Sequence, residues 1–441
     1  MDEKSYFAHV TILRDELVCA LGCTEPIAVA YVSALARAAL GREPEHLAVQ
    51  CSGNIVKNVK SVTVPNSGGQ RGIEVAATLG AIGGDETRAL EVLQSVTEGD
   101  RQRCRELVSA GYCSISLAQG VPNLYIRVVA TARGHEAVAC VRDRHTNVTE
   151  LTFDGAPTHA HAIVATPCDG PGAGDVAGTG EATQEYTGDW PLSLASIWEF
   201  AHGMQLEDVC EVIGRQIDLN EAIAVEGLSG RWGANIGRTL LSTRPNDITC
   251  RVRALAAAGS DARMSGCPLP VVICCGSGNQ GITCSQPVVE WGRELGRPKN
   301  DIMRAVALSD LVAIHTKHFI GELSAFCGAV SAACGAGAAI AWLRGATFEQ
   351  YQATIVNTLA NVGGIVCDGA KPSCAAKIAS AVDAAVLGCD MALLGNSLHS
   401  GDGLVAADPE QTIRSMGYVG RVGMRMTDVE ILNLMTGKTC V

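Results

Sequence analysis

Ala325 to Leu343, AFCGAVSAACGAGAAIAWL, constrains the fold more than any other stretch of this chain. It carries no charge, is dominated by Ala and Gly, and has little Leu, Ile or Val. Side chains this small suit a helix packed closely on all sides better than one facing lipid. The texture is general: Gly is 49 of 441 residues, aromatics are 4%, hydrophobic residues 47% and charged residues 18%. Such a chain forms cores and is not disordered, but it offers few rings on which bases or sugars could stack. At this length one core stops growing, so two or three lobes are expected. The net charge of −12 argues against nucleic acid or an anionic membrane as partner. The opening MDEKSYFAHVTILRDELVCALG is charged and lacks the apolar core of a signal peptide, so the chain reads as cytoplasmic.

Periodicity divides the chain into four parts. Residues 1–45 read as a helical arm interrupted at Gly22–Pro26. Residues 46–165 form a small α+β lobe, with strand-like LAVQC, CSISL, LYIRVVATAR, HEAVACVRDR and TELTF separated by turn residues. Residues 166–190 are a Gly-rich linker, and 191–441 a mainly helical domain that would carry the chemistry. The fold class is therefore α+β.

Four Gly- or Asn-rich segments interrupt apolar stretches: Gly22–Pro26, Cys51–Asn54, Gly276–Gly281 and Val366–Gly369. Singly each reads as a tight turn. Together they offer backbone N–H groups and neutral side chains suited to an amino-acid substrate, with Ser52, Asn54, Ser277 and Asn279 as the groups for its carboxylate and amine. No G-x-x-x-x-G-K-[ST] occurs and no strand–GxGxxG–helix unit is evident, so nucleotide binding is unsupported. No lysine stands in a glycine-rich phosphate-binding context, which disfavours pyridoxal phosphate. His315 and Lys317 are secondary candidates.

Cysteine is unusually frequent, 19 in all, in a chain read as cytoplasmic, where disulfides are rare. Cys23 precedes Thr24-Glu25-Pro26, where a proline suits the first turn of a helix; a thiol at such an N-terminus can serve as thiolate base or nucleophile, or else be a buried residue at a kink. There is no C-x-x-C, which excludes zinc-ribbon and ferredoxin spacing. Cys327, Cys367 and Cys374 are spaced forty then seven; Cys284, Cys327 and Cys334 are spaced forty-three then seven. Three thiolates from separate loops could hold an iron–sulfur cluster with one iron open to act as a Lewis acid. On spacing alone, either triplet or simple core burial remains open.

LGCTEPIA, CSGNIVKN, GSGNQGI, FCGAVSAAC and CDGAKPSC, in that order over about residues 20 to 435, resemble the L-cysteine desulfidase family (UPF0597-type), related to the α-subunit of iron–sulfur L-serine dehydratases. The resemblance implies an oxygen-sensitive 4Fe–4S cluster, no pyridoxal phosphate, and conversion of L-cysteine to sulfide, ammonia and pyruvate. It assigns Cys327, Cys367 and Cys374 as ligands, because CDGAKPSC is similar to the dehydratases' two-ligand loop, and Cys23 as the base. It also places Cys440 where some relatives cap the open iron at rest. L-Serine is the rival substrate, and a non-catalytic cluster-binding sensor the rival class. The Ala/Gly-rich helices suit a homodimer.

Overall fold

The computed structural model describes residues 1–158, 190–321 and 323–438. Most of the expected linker 166–190, and Cys440 with its proposed capping role, lie outside the described residues.

Helix α1 (Glu3–Glu16) starts on Asp2, whose carboxylate accepts the Ser5 N–H at 2.8 Å. Strand β1 (Cys19–Leu21) follows, then α2 (Thr24–Leu40), which starts after Cys23 and ends at Gly41 in the left-handed conformation. Nearly all of α2 is buried. It lies against β4 (Tyr125–Ala132) and β5 (His135–Arg142), central strands of a six-stranded sheet completed by β2 (His46–Cys51), β3 (Cys113–Leu117), β6 (Val148–Phe153) and β7 (Ala156–Pro157). Only β2 and β3 pair parallel, because α3 (Gly53–Val59), α4 (Ile73–Gly83) and α5 (Glu98–Ser109) make the crossover between them. Helix α4 approaches α2 so closely that a Cβ on Gly80 would stand 2.1 Å from the Ala30 carbonyl oxygen.

The second core is helical. It is built from α6 (Leu194–Gly203), α7 (Cys210–Gly227), α8 (Ile236–Thr243), α9 (Ile248–Met264), α10 (Gly278–Glu294), α11 (Lys299–Ile320), α12 (Gly328–Leu343), α13 (Phe348–Val362), α14 (Cys374–Leu393) and α15 (Pro409–Tyr418), with α16 (Arg425–Met435) on its surface. The Ala/Gly run is α12, enclosed by α10, α11, α13 and α14. Its small residues permit that enclosure: a Cβ on Gly335 would lie 2.1 Å from the Ser309 carbonyl. Among the described residues no helix is long and apolar enough to cross a membrane.

The expected N-terminal arm is shared between the cores. Val10 and Leu13 of α1, and Leu17 just after it, join the helical core, whereas α2 is central to the sheet lobe. Between them β1 pairs antiparallel with β8 (Pro270–Val272), Cys19 opposite Val272. The chain thus crosses the seam immediately before Cys23, and α+β is the observed class.

Gly-to-Ala changes test the close packing. On an open helical position Ala is favoured over Gly by up to about 1 kcal/mol. Gly214→Ala, whose Cβ meets nothing within 4 Å, should therefore raise the thermal midpoint. Gly80→Ala and Gly335→Ala should lower it, each costing about 1–3 kcal/mol through overpacking. Stabilisation by all three would contradict the helix contacts described.

Candidate active site

An antiparallel bridge between Phe326 and Val366 sets the cysteine geometry. Cys327 N–H donates to the Ile365 carbonyl at 2.9 Å, and Cys367 N–H to the Ala325 carbonyl at 2.6 Å. Cys327 and Cys367 therefore lie diagonally across the bridge, with their thiols hydrogen-bonded to each other. Cys327 caps α12, and Cys374 is the first residue of α14. All three cysteines are half-buried, and their charges are felt by one another.

The pair is electrically asymmetric. Its hydrogen bond to Cys367 and burial push the Cys327 thiol up, while the same bond draws Cys367 down to about 6 against the effect of its burial, aided by Lys57, the Gly369 N–H and Lys317. Lys57 Nζ reaches the Cys367 carbonyl at 3.4 Å and pairs with Asp428 at 2.5 Å. Asp428 in turn accepts the Ala325 N–H at 2.9 Å, so α16 is tied to both cysteine loops. Lys371 and Lys377 converge on Asp368; burial opposes ionisation there, yet the two ammonium groups hold its carboxyl at about 2. Three accessible thiols, lysines and a backbone donor are a donor set that fits an iron–sulfur cluster, whose charge and sulfur hydrogen bonds such groups balance.

Cys23 approaches this group through a shared apolar cluster. Cys23, Val62 and Met264 form a small apolar cluster, against which Ala370 and Cys374 pack. The thiol donates to Glu25 Oε2 at 3.1 Å, and Cys23 is only 1% exposed. Burial and the Glu25 charge push the thiol well above its ordinary range, against the lowering a helix N-terminus would give. Glu25 also accepts from Thr24 Oγ1 at 3.1 Å and Asn58 Nδ2 at 3.0 Å. Burial alone would raise the Glu25 carboxyl, but His145, the Cys23 hydrogen bond and Arg263 hold it below the usual value.

The four expected substrate groups divide. Ser52 is occupied as a cap, accepting the Ile55 N–H and donating to the Asn123 carbonyl at 2.6 Å. Asn54 sits one turn before Asn58 on α3, and Oδ1 of each is buried without a partner. Ser277 precedes α10 and makes no side-chain cap bond; Asn279 Oδ1 is buried and unpartnered. Gly278 leaves room for Arg263, since a Cβ there would lie 2.4 Å from Nε.

Glu25, Asn58, His145 and Arg263 were not among the expected site residues. Arg263, 2% exposed, donates through Nε to the Gly22 carbonyl at 2.8 Å, leaving Nη2 unpartnered. His145, from the β5–β6 turn, lies against Gly276 with Nε2 unpartnered. An available signal was Asn54-x-x-x-Asn58, which puts two amides on one helical face; a lone Arg ending an Ala-rich helix gave none.

Of the secondary candidates, His315 is fully engaged, with Trp190 Nε1 at 3.0 Å from Nδ1 and Glu410 at 2.7 Å from Nε2. Lys317 is buried rather than solvated and lines a cleft of about 1170 Å³ that also reaches Cys275, beside the Gly276–Gly281 segment. Of the alternative ligands, Cys334 is buried within α12, and Cys284 neighbours Cys274 and Asp310.

A family model described as serine dehydratase alpha chain matches residues 87–433. The chain belongs to the serine dehydratase alpha chain family. It is also similar over its full length to UPF0597 proteins: 44% identical to one from Desulfitobacterium hafniense, covering 98% of this chain and 97% of the relative. One from Lachnoclostridium phytofermentans is 46% identical and one from Finegoldia magna 42%, each covering 98% of this chain and 99% of the relative. The sheet lobe, which bears Cys23, is thus shared with these UPF0597 homologues.

The Lys57–Asp428 pair gives a direct test. Lys57 is 2% exposed, so Asp428→Asn strands a buried ammonium and should cost about 3–5 kcal/mol. Lys57→Met combined with Asp428→Leu should cost clearly less, read from denaturant midpoints. A double variant no more stable than Asp428→Asn would show that the pair is not energetically coupled.

Proposed function

We propose that this member of the serine dehydratase alpha chain family is a 4Fe–4S-dependent lyase that converts L-cysteine to hydrogen sulfide, ammonia and pyruvate. The observation that supports the reading is that Cys374 packs on the small apolar cluster of Cys23, Val62 and Met264, which brings the candidate base near the candidate ligand group. Cys327, Cys367 and Cys374 would hold the cluster, which supplies a Lewis acid for the substrate's β-thiol.

The chain's own groups account for the rest. Arg263 Nη2 is a buried, unpaired donor suited to the substrate carboxylate, and the Asn54, Asn58 and Asn279 amide oxygens suit its ammonium. The Cys23 thiol donates a hydrogen bond to Glu25, which must take that proton before Cys23 can act as base. Cys23 then takes the Cα proton, the C–H electron pair becomes the Cα=Cβ bond, and the Cβ–S bond breaks with its pair on sulfur. The aminoacrylate tautomerises to an imine, and water releases ammonia and pyruvate. L-Cysteine plus water balances sulfide, ammonia and pyruvate.

The deciding assay is anaerobic release of sulfide and pyruvate from L-cysteine by iron-reconstituted protein, with L-serine in parallel. Equal amounts of both products, lost on exposure to air, are expected; turnover of serine alone would reassign the substrate. Cys23→Ala should lower turnover by about 10²–10⁴ while leaving cluster absorption intact. Unchanged turnover in Cys23→Ala would remove Cys23 as the base, whereas a formed cluster with no turnover of either substrate would favour a sensor. Arg263→Gln should raise KM at least about tenfold, the worth of one charge-assisted contact; an unchanged KM would remove Arg263 from the carboxylate site.

A further inference from the structure

A second group of ligating side chains lies outside this reaction. Sγ of Cys274, Sγ of Cys284 and a carboxylate oxygen of Asp310 all stand within 4.8 Å of one another, and all three residues are 0% exposed. They come from the turn after β8, the second turn of α10 and the middle of α11. Gln216 donates to Asp310 Oδ1 at 2.9 Å, whereas Oδ2 has no hydrogen-bond partner of ordinary length and the carboxyl faces the two thiols. A carboxylate taken from water without a neutralising partner is costly, and metal coordination is one way of neutralising it.

A further thiol adjoins Cys274. Cys275 Sγ is 3.7 Å from Cys274 Sγ. Two thiolates on a tetrahedral ion with metal–sulfur bonds of about 2.3 Å stand about 3.8 Å apart. Cys275 and Gly276 have φ of 50° and 70°, two successive left-handed residues in a turn closed by reciprocal Cys274–Ser277 backbone bonds of 3.2 and 3.0 Å. The left-handed state is unfavourable for a residue with a Cβ, and here it sets the sulfurs side by side. Cys275 also lines the large cleft, which provides an entry path.

We propose that Cys274, Cys284 and Asp310, with Cys275 as the arm nearest the cleft, bind a soft divalent cation of the zinc class at a site separate from the Cys327, Cys367 and Cys374 group. Binding replaces the thiol and any carboxyl protons by the ion, releases them to solvent, and involves no change of oxidation state. Its structural effect is to pin the turn that leads into Ser277 and Asn279.

The test uses the full chain with Cys327, Cys367 and Cys374 all changed to Ala, so it does not depend on the cluster reading. After chelation and desalting, Zn²⁺ should be retained at one per chain, and Co²⁺ should give thiolate charge-transfer absorption of a tetrahedral site. Cys284→Ser and the near-isosteric Asp310→Asn should each weaken Zn²⁺ binding at least about tenfold, whereas the buried control Cys334→Ser should not. If the triple variant does not fold, the same Co²⁺ titration compares the otherwise unchanged chain with Asp310→Asn. No retained ion, or equal affinity in parent, Cys284→Ser and Asp310→Asn, would overturn the site and leave these residues as a hydrogen-bonded core.

Discussion

A carboxylate buried at the seam between two cores governs the arrangement of the rest. Glu25 is charged inside the protein, and each compensating group comes from a different part of the chain: Cys23 and Thr24 from the entry to α2, Asn58 from α3, His145 from the β5–β6 turn and Arg263 from the end of α9. Removing such a charge from water is tolerable only when partners of this kind surround it. The demand draws the sheet lobe and the helical domain together around one point. Cys23, hydrogen-bonded to Glu25 there, belongs to the small apolar cluster on which Cys374 packs.

The backbone surroundings follow from small residues. Gly278 clears the Arg263 guanidinium, and Gly328 leaves space for Gln280, whose side chain lies where a Cβ would be 2.6 Å away. The Gly276–Gly281 segment is thus applied to Arg263 at one end and to the start of α12 at the other. Small-residue packing, which sets the helical architecture, also fixes the distance between the Cys23 and Cys327 sides of the site.

How much of this was legible depends on what kind of signal each residue left. The cysteines stood out because a thiol beside glycines in a loop differs from one in an apolar helix; the Phe326–Val366 bridge sets Cys327 and Cys367 on adjoining segments, and Cys374 opens α14. Cys334, equally prominent in spacing, is core because its helix is enclosed on all sides. The α+β class was readable from periodicity, but the sharing of the N-terminal arm was not, since helical period does not tell which core a helix joins. For Cys23 both a helix-terminal thiolate and a buried thiol were open in sequence, because helix position was visible there while the extent of burial that pushes the thiol up was not. Arg263 and His145 escaped notice because each stands among other polar residues with no motif of its own and acquires meaning only from contacts far along the chain.

The Lys57–Asp428 pair joins positions 371 residues apart. At synthesis rates of roughly 5–20 residues per second, Lys57 leaves the ribosome roughly 20–75 s before its partner exists. During that interval the sheet lobe can form its strands, but it cannot bury Lys57 against a counter-ion. The wall shared by Lys57, Cys367 and Asp428 is therefore completed only once nearly all of this sequence has been made. Whatever needs that wall must wait until Asp428 has been added.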